Sequence, residues 1–311
     1  MLRLDMVLPV LKYPVILPRR LAAIATGCML ATLLLMPGIA SGADGKHFMW
    51  RISKGGHALY LVGSIHVLRP ADYPLPAEME SAFQAAGTLV EEVDLSHLDA
   101  ESLQLQMQRR GAYPTGQSLQ GALSPDLYRR LTERARKLGM DMDSLDSMRP
   151  WLVSIVLLDT ELETAGFDPA SGVDIHFADE AMALHKSVAG LENMDFQMGL
   201  LANLPEAVQL DALKQSLDES VVFKKELQTL VDAWHAGDTA ALEKILRQDF
   251  GDYQQLYQPL LAQRNQAWLP KLEGMLDSGK SCFVVVGALH LVGPDGLLAH
   301  FLKDGYKVEQ L

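Results

Sequence analysis

Short hydrophobic runs alternate along this chain with longer amphipathic stretches. Two strand-like runs, Phe48 to Ile52 and Ala58 to Val62, flank the turn sequence SKGG, which predicts a β-hairpin. Further strand-like runs are TLVEEVD, SVAGLE, SCFVVVG and the terminal YKVEQL. The run FVVVG is apolar at every position, as expected of a strand that is buried on both faces of a parallel sheet.

Helical patterns fill the segments between these strands. Start signals or apolar stripes at helical spacing mark PLPAEMESAFQAAG, LSPDLYRRLTERARKLGM, RPWLVSIVLLDTELETAG, SGVDIHFADEAMALHK and PDGLLAHFLKDG. The stretch of about residues 195–278 is almost entirely helical. The sequence therefore predicts an α/β fold with a largely parallel central sheet flanked by helices, in which about residues 195–278 form a long helical insertion or cap.

The first 43 residues have the organisation of a signal peptide. Arg19 and Arg20 precede sixteen residues without charge, and Pro37 is followed by small residues suited to cleavage. We expect cleavage to leave residues 44–311 as one domain, exported to the periplasm or the extracellular space. The alternatives are an uncleaved N-terminal anchor and, on a poor lipobox, a lipoprotein site at Cys28.

Charge and cysteine content narrow the choice of partners. Cleavage would remove four basic residues and one acidic residue, which changes the net charge from −12 to −15. Such a surface repels nucleic acid and anionic lipid, so we expect no nucleic-acid binding and no stable membrane insertion after cleavage. Cys282 would then have no cysteine partner in the chain, so the fold must depend on its core. The oligomeric state stays open.

One pattern occurs twice, 224 residues apart. LYLVGSIHVLRP covers residues 59–70, and FVVVGALHLVGP covers residues 283–294. Each unit ends an apolar strand with a glycine and places a histidine three residues later, His66 in the first and His290 in the second. Ligands bind at the carboxyl ends of strands in open α/β sheets, so we expect the two imidazoles to converge there.

Two other predicted strands end in carboxylates. TLVEEVD supplies Glu91 and Glu92, and SVAGLE supplies Glu192. Two imidazoles and a carboxylate form the ligand set of many catalytic metal sites, and this set suits zinc, manganese, cobalt or iron. Strand alternation points Glu91 and Glu92 to opposite faces, and the sequence leaves open which of them faces the histidines.

A polar pair lies on a late helix. In LYQPLLAQRNQAWLPKLEGML, Asn265 shares an apolar stripe with Leu261 and Trp268, and Arg264 is predicted on the flank of that stripe. A buried amide needs hydrogen-bond partners, so Asn265 either links this helix to a neighbour or takes part in the site. Arg264 is suited to bind a carboxylate or an oxyanion. The chain has no H-E-x-x-H, no G-x-S-x-G and no P-loop, which argues against a zincin, an α/β-hydrolase and a P-loop NTPase.

In these motifs the chain resembles the TraB/GumN family, which includes the Tiki proteases of animals. The resemblance is carried by YLVGSIHVLRPADYPLP, LVEEVDL, FDPASGVDIHF, GLEN, QRNQAW and FVVVGALHLVGPDGLL. It implies an α/β fold distantly similar to erythromycin esterases and haem-binding ChaN lipoproteins, and a metal-dependent peptidase activity. It also implies roles for His66, Glu92, His290 and the pair Arg264–Asn265, with Asp174 and Glu192 in further matching motifs.

Together these observations favour an exported metal-dependent hydrolase that acts on a peptide or small-molecule substrate. The candidate site residues are His66, Glu92 and His290 as ligands of a divalent metal ion, and Glu91, Glu192, Arg264 and Asn265 as catalytic groups. One alternative is a non-enzymatic periplasmic binding protein for a peptide, haem or a metal. The other is a metal-free, esterase-like hydrolase in which a histidine acts as the base.

Overall fold

A six-stranded mixed sheet lies at the centre of the fold. The structure is a computed structural model that describes residues 45–97, 100–219, 223–250 and 254–311. The predicted signal peptide lies outside these ranges. The strands are β1 Met49–Lys54, β2 His57–Ser64, β3 Thr88–Val93, β4 Ser187–Glu192, β5 Cys282–Gly287 and β6 Lys307–Gln310, in the spatial order β4-β3-β5-β2-β1-β6.

Pairing in the sheet follows the sequence pattern. β1 and β2 form the predicted antiparallel hairpin, and β6 pairs antiparallel with β1. The other four strands run parallel, with β5 between β2 and β3 and β4 outside β3. Every residue of β5 is buried, as its uniformly apolar sequence predicted. The prediction of an α/β fold with a largely parallel sheet is confirmed.

Helices connect the strands and cover the sheet. Their bounds are α1 Ala77–Ala85, α2 Ala100–Gly111, α3 Leu119–Ala122, α4 Pro125–Lys137, α5 Met142–Asp146, α6 Pro150–Thr164, α7 Val173–Ala183, α8 Met194–Ala202, α9 Glu206–Glu219, α10 Phe223–His235, α11 Thr239–Phe250, α12 Gln254–Tyr257, α13 Gln263–Asp277 and α14 Leu297–Lys303. A π-helical turn, Gln258–Ala262, joins α12 to α13. In the part of the chain that the structure describes, no helix combines the length and the apolar character needed to cross a bilayer.

Buried apolar side chains form two clusters. The sheet cluster joins the strands to α1, α7, α10, α11, α13 and α14, and it includes Phe283, Trp234 and Trp268. The helical cluster joins α2 to α6 with α8 and α9, and it includes Trp151 and Met198. The helices of residues 195–278 contribute to both clusters. The carboxyl ends of the parallel strands therefore lie where the two clusters meet.

Candidate functional site

Four parallel strands deliver polar side chains to one edge of the sheet. Glu92 lies near the end of β3, Glu192 ends β4, and His66 and His290 follow β2 and β5 within three residues. Because β4, β3, β5 and β2 are consecutive in the sheet, these side chains come from neighbouring strands. The topology therefore brings together residues that lie as far apart as 224 positions in the chain.

The two glycines of the repeated unit have different roles. A Cβ on Gly63 would collide with the ring of Phe48 and lie 3.0 Å from Cα of Ala288, so Gly63 allows close packing of the fold. A Cβ on Gly287 would instead contact side chains of the candidate site. In both cases the glycine provides space and not an unusual backbone conformation, because neither residue has a positive φ.

Gly287 marks the point around which the site residues gather. A Cβ placed there would lie 3.2 Å from Nε2 of His66, 3.3 Å from Oε1 of Glu92 and 3.5 Å from Cδ2 of His290. The backbone N–H of Gly287 donates to Oε1 of Glu92 over 2.8 Å, and Nε2 of His290 lies 3.8 Å from that oxygen. The histidines and Glu92 therefore surround one small volume.

His290 is buried in a fixed orientation. Its Nδ1 lies 2.7 Å from Oδ1 of Asn265, and the amide nitrogen of Asn265 donates to the backbone oxygens of His290 and Asp295 over 3.1 and 2.8 Å. An amide oxygen only accepts, so Nδ1 of His290 must carry the proton, and Nε2 keeps its lone pair. Burial, reinforced by the charge of Arg264, lowers the pKa of His290, so the imidazole is neutral.

His66 lies on the solvent side of the site. Its Nδ1 is 3.2 Å from Oδ2 of Asp174, and the hydroxyl of Ser64 donates to Oδ1 of Asp174 over 2.9 Å. The carboxylate of Asp174 raises the pKa of His66, against the opposing effect of burial. Since 58% of the His66 side chain is exposed, water screens part of this attraction. Asp174 thus orients His66 with Nε2 toward Gly287.

Arg264 connects the carboxylates to His290. Its guanidinium donates to Oε1 of Glu192 from Nε over 2.9 Å and from Nη2 over 2.5 Å, and Nη2 also donates to Glu92. Nη1 lies 3.1 Å from Nε2 of His290 and donates to the backbone oxygen of Leu260, in the π-helical turn, over 3.0 Å. Arg264, which was predicted on the flank of the apolar stripe, is buried, with only 8% of the residue exposed.

Glu92 is the carboxylate that faces the histidines. Burial opposes its ionisation, but Arg264 and the Gly287 N–H stabilise the charged form, and the net effect lowers the pKa of Glu92. Glu91 lies beside it with both carboxyl oxygens buried and without a hydrogen-bond partner of good geometry. Burial, with the nearby charge of Asp174, raises the pKa of Glu91 to about 9. The two adjacent glutamates therefore prefer opposite protonation states.

Both carboxylate oxygens of Glu192 accept hydrogen bonds from neighbouring side chains. Besides the bonds from Arg264, it accepts from Nε1 of Trp268 over 3.0 Å and from Nε2 of Gln197 over 2.9 Å. Gln197 also donates to Oε2 of Glu92 over 3.0 Å. Trp268 lies on the predicted stripe of Asn265, so helical spacing could have indicated that it faces the site. The sequence pattern gives no comparable indication for Gln197 or Ser64.

The donor chemistry of the site fits a divalent metal ion. In this arrangement, no group of three or more His, Cys, Asp or Glu side chains within the described ranges is spaced to hold one. Yet two imidazoles and the Glu92 carboxylate surround Gly287, and each histidine has Nδ1 against an acceptor, as metal-ligating histidines do. The guanidinium of Arg264 contacts two of these three donors, Glu92 and His290.

Comparison with known proteins agrees with the motifs. The chain is 28% identical over 263 residues to the protein YbaP of Escherichia coli (strain K12), covering 83% of this chain and 94% of YbaP. It is 24% identical over 336 residues to metalloprotease TIKI1 of Danio rerio, covering 88% of this chain and 66% of TIKI1. It is 26% identical over 326 residues to metalloprotease TIKI2 of Xenopus tropicalis, covering 86% of this chain and 60% of TIKI2.

The chain thus spans about two thirds or less of the length of these TIKI proteins. No solved structure matches the chain significantly. The model of the TraB/PrgY/gumN family matches residues 48–310, which is nearly the whole of the chain beyond the predicted signal peptide. The chain therefore belongs to the TraB/PrgY/gumN family.

Proposed function

We propose that this protein is an exported, metal-dependent hydrolase that cleaves peptide bonds. The observation that carries the proposal is the gathering of His66, Glu92 and His290 around Gly287. Relatives over most of the chain are named metalloproteases, which supports the same reaction class. The N-terminal 43 residues, with their signal-peptide organisation, support export.

His66, Glu92 and His290 would hold the metal ion. When bound, a divalent cation would lower the pKa of a water molecule and polarise the substrate carbonyl. Asn265 and Asp174 support the two histidines by occupying Nδ1, which leaves each Nε2 free to face the site.

The remaining polar groups divide into charge stabilisation and proton transfer. Arg264 brings a buried positive charge to the site, where it is suited to stabilise an oxyanion that develops on the substrate. Glu192 positions Arg264, because its oxygens already accept bonds from that guanidinium, Trp268 and Gln197. Glu91 lines the same cavity as Glu92 and has no partner of its own, so we assign it the transfer of a proton to the leaving amine.

Metal content and cleavage test the proposal together. Elemental analysis of the purified mature protein should find about one divalent metal ion per chain, and the His66→Ala variant should lose most of it. The parent should cleave a mixed peptide pool, with products identified by mass spectrometry. A chelator should stop the cleavage, and Zn²⁺, Mn²⁺ or Co²⁺ should restore it.

Other outcomes would replace this function. Cleavage that survives complete removal of metal would point to a metal-free hydrolase, in which His66 or His290 acts as the base. Stable binding of a peptide, haem or metal without any cleavage would point to a binding protein.

A further inference from the structure

A cavity of about 370 Å³ opens beside the candidate site. At one end it is lined by polar side chains of the candidate site, among them His66, Glu92 and Asp174. A molecule in the cavity would therefore touch the groups to which we assign the reaction. Much of the remaining wall comes from the helical cluster.

The helical wall of the cavity is apolar. It is formed by Met107 of α2, Trp151 and Ile155 of α6, and Met194, Met198 and Leu201 of α8. None of these side chains carries a charge. Methionine has a flexible, polarizable side chain that adapts to apolar groups of different shape. This wall favours apolar groups over charged ones, because a charge bound against it would lose its hydration without gaining a charged partner.

The apolar surface continues away from the site. A second cavity, of about 290 Å³, shares Trp151, Ile155 and Leu201 with the first. Its wall includes Leu158, a large apolar side chain that is 46% exposed. An extended substrate could follow this surface outward from the reactive groups.

Size decides what the first cavity can hold. A volume of about 370 Å³ lies at the lower end of the roughly 300–1,000 Å³ of ligand pockets in proteins. This is enough for one large apolar side chain together with the backbone that carries it. A peptide bond beside that residue would lie at the polar end, near His66 and Glu92.

We propose that this cavity selects peptide substrates that carry a large apolar side chain, such as Leu, Met or Phe, at a position flanking the bond that is cleaved. The proposal rests on the peptidase function proposed above. Ile155 is a specificity-determining residue in this scheme, because it lies in the wall that both cavities share.

A peptide pool of random sequence tests the preference without assuming which side of the bond matters. Mass spectrometry of the products should show Leu, Met or Phe enriched at one flanking position. Single-residue variants of one cleaved peptide should then give kcat/KM at least 10-fold higher for Leu or Phe than for Ala or Asp, within the roughly 10–200-fold range of apolar pockets.

Ile155→Asp should remove this preference. Ile155 is only partly buried, so the variant should fold. We expect the Leu-to-Lys ratio of kcat/KM to fall at least 10-fold. Leu105→Asp is the matched control, because Leu105 is 46% exposed on α2 and lines neither cavity, and it should leave the ratio within about twofold. If Ile155→Asp does not fold, Ile155→Phe should narrow the cavity and shift the preference from Phe toward Ala.

The outcomes separate this inference from the proposed function. Metal-dependent cleavage without an apolar preference, or a preference that the Ile155 variants leave unchanged, would refute the role of the cavity. Either result would still agree with the proposed peptidase function. If the parent cleaves no peptide, the proposed peptidase function is refuted. Binding of fluorescently labelled versions of the same peptides, measured by anisotropy, then tests the role of the cavity. If peptides with a large apolar side chain bind more tightly than the others, and Ile155→Asp abolishes the difference, the role of the cavity is supported. Equal binding of all peptides would refute that role.

Discussion

Arg264→Gln should destabilise the protein strongly, because Arg264 compensates buried negative charge. The guanidinium contacts Glu92 and Glu192, whose side chains are 14% and 8% exposed, and it also contacts His290. Glutamine is shorter and neutral, so it leaves two carboxylates near each other without a cation. Both would then be partly protonated or repel each other, and either outcome costs free energy.

The size of the effect follows from the burial of this network. Breaking a buried ion pair by removing one partner costs about 3–5 kcal/mol. For a domain of this size, 1 kcal/mol corresponds to roughly 2–4 °C in Tm, so Arg264→Gln should lower Tm by about 6–20 °C. Arg264→Lys should lower Tm by about half as much, since lysine keeps the charge but its compact ammonium group cannot reach all three partners.

Thermal and urea unfolding followed by circular dichroism measure these differences. The matched control is Arg247→Gln, because Arg247 also pairs with a glutamate, Glu243, but its side chain is 69% exposed. An exposed pair contributes about 0–1 kcal/mol, so the control should stay within about 4 °C of the parent.

The change in Tm on addition of metal tests whether Arg264 competes with a metal ion for the same donor atoms. Without Arg264, the donor atoms of Glu92 and His290 lose the guanidinium, so Mn²⁺ or Co²⁺ should raise the Tm of Arg264→Gln more than that of the parent. An Arg264→Gln variant within 1 kcal/mol of the parent, or a control that loses as much, would refute the charge-compensation argument. An equal response of both proteins to metal would show that Arg264 does not compete for these donors.

Three further substitutions test separate parts of the structure. Gly287→Ala should fold with nearly parental Tm but lose at least 10-fold in metal affinity measured by calorimetry, because its Cβ would lie 3.2 Å from Nε2 of His66. Asp174→Asn should lower metal affinity by about 10–100-fold in the same assay, because it weakens the support of His66; unchanged affinity would contradict this role. Burial opposes the charge of Asp72, but hydrogen bonds from Arg69 outweigh burial and lower the pKa of Asp72. The pairing of Asp72 with Arg69 therefore stabilises the fold above pH ~4, and this stabilisation is lost as the pH falls through the lowered pKa. Urea unfolding of Asp72→Asn should therefore show a deficit of about 1–2 kcal/mol at pH 7 that narrows at pH 3, and a deficit independent of pH would exclude this cause.

The sequence predicted the parts of the site that follow from strand direction. Polar residues at the ends of apolar strands must lie at one edge if the strands are parallel, and the uniformly apolar β5 indicated a parallel sheet. His66, Glu92, Glu192 and His290 could therefore be grouped without knowledge of the structure. The buried face of Asn265 also followed from helical spacing.

Other features depend on contacts that no local pattern encodes. The burial of Arg264 could not be predicted from helical spacing, because its partners come from β3, β4 and the turn after β5. The choice between Glu91 and Glu92 was open because alternation separates the two side chains without saying what covers each face. Asp174 reaches His66 from α7, more than a hundred residues away.

The repeated unit produces two histidines with unlike environments, and this difference suggests how the site is approached. His290 is 4% exposed, neutral and fixed by an amide, whereas the side chain of His66 is 58% exposed and lies against a carboxylate. Of the two histidines, His66 therefore lies on the open side of the site, where the cavity of about 370 Å³ also opens. His290, behind Gly287 and in contact with Arg264 and Asn265, belongs to the rigid part of the site. Two similar strand ends thus supply one accessible imidazole and one buried imidazole, a difference that the matching motifs of the repeat could not reveal.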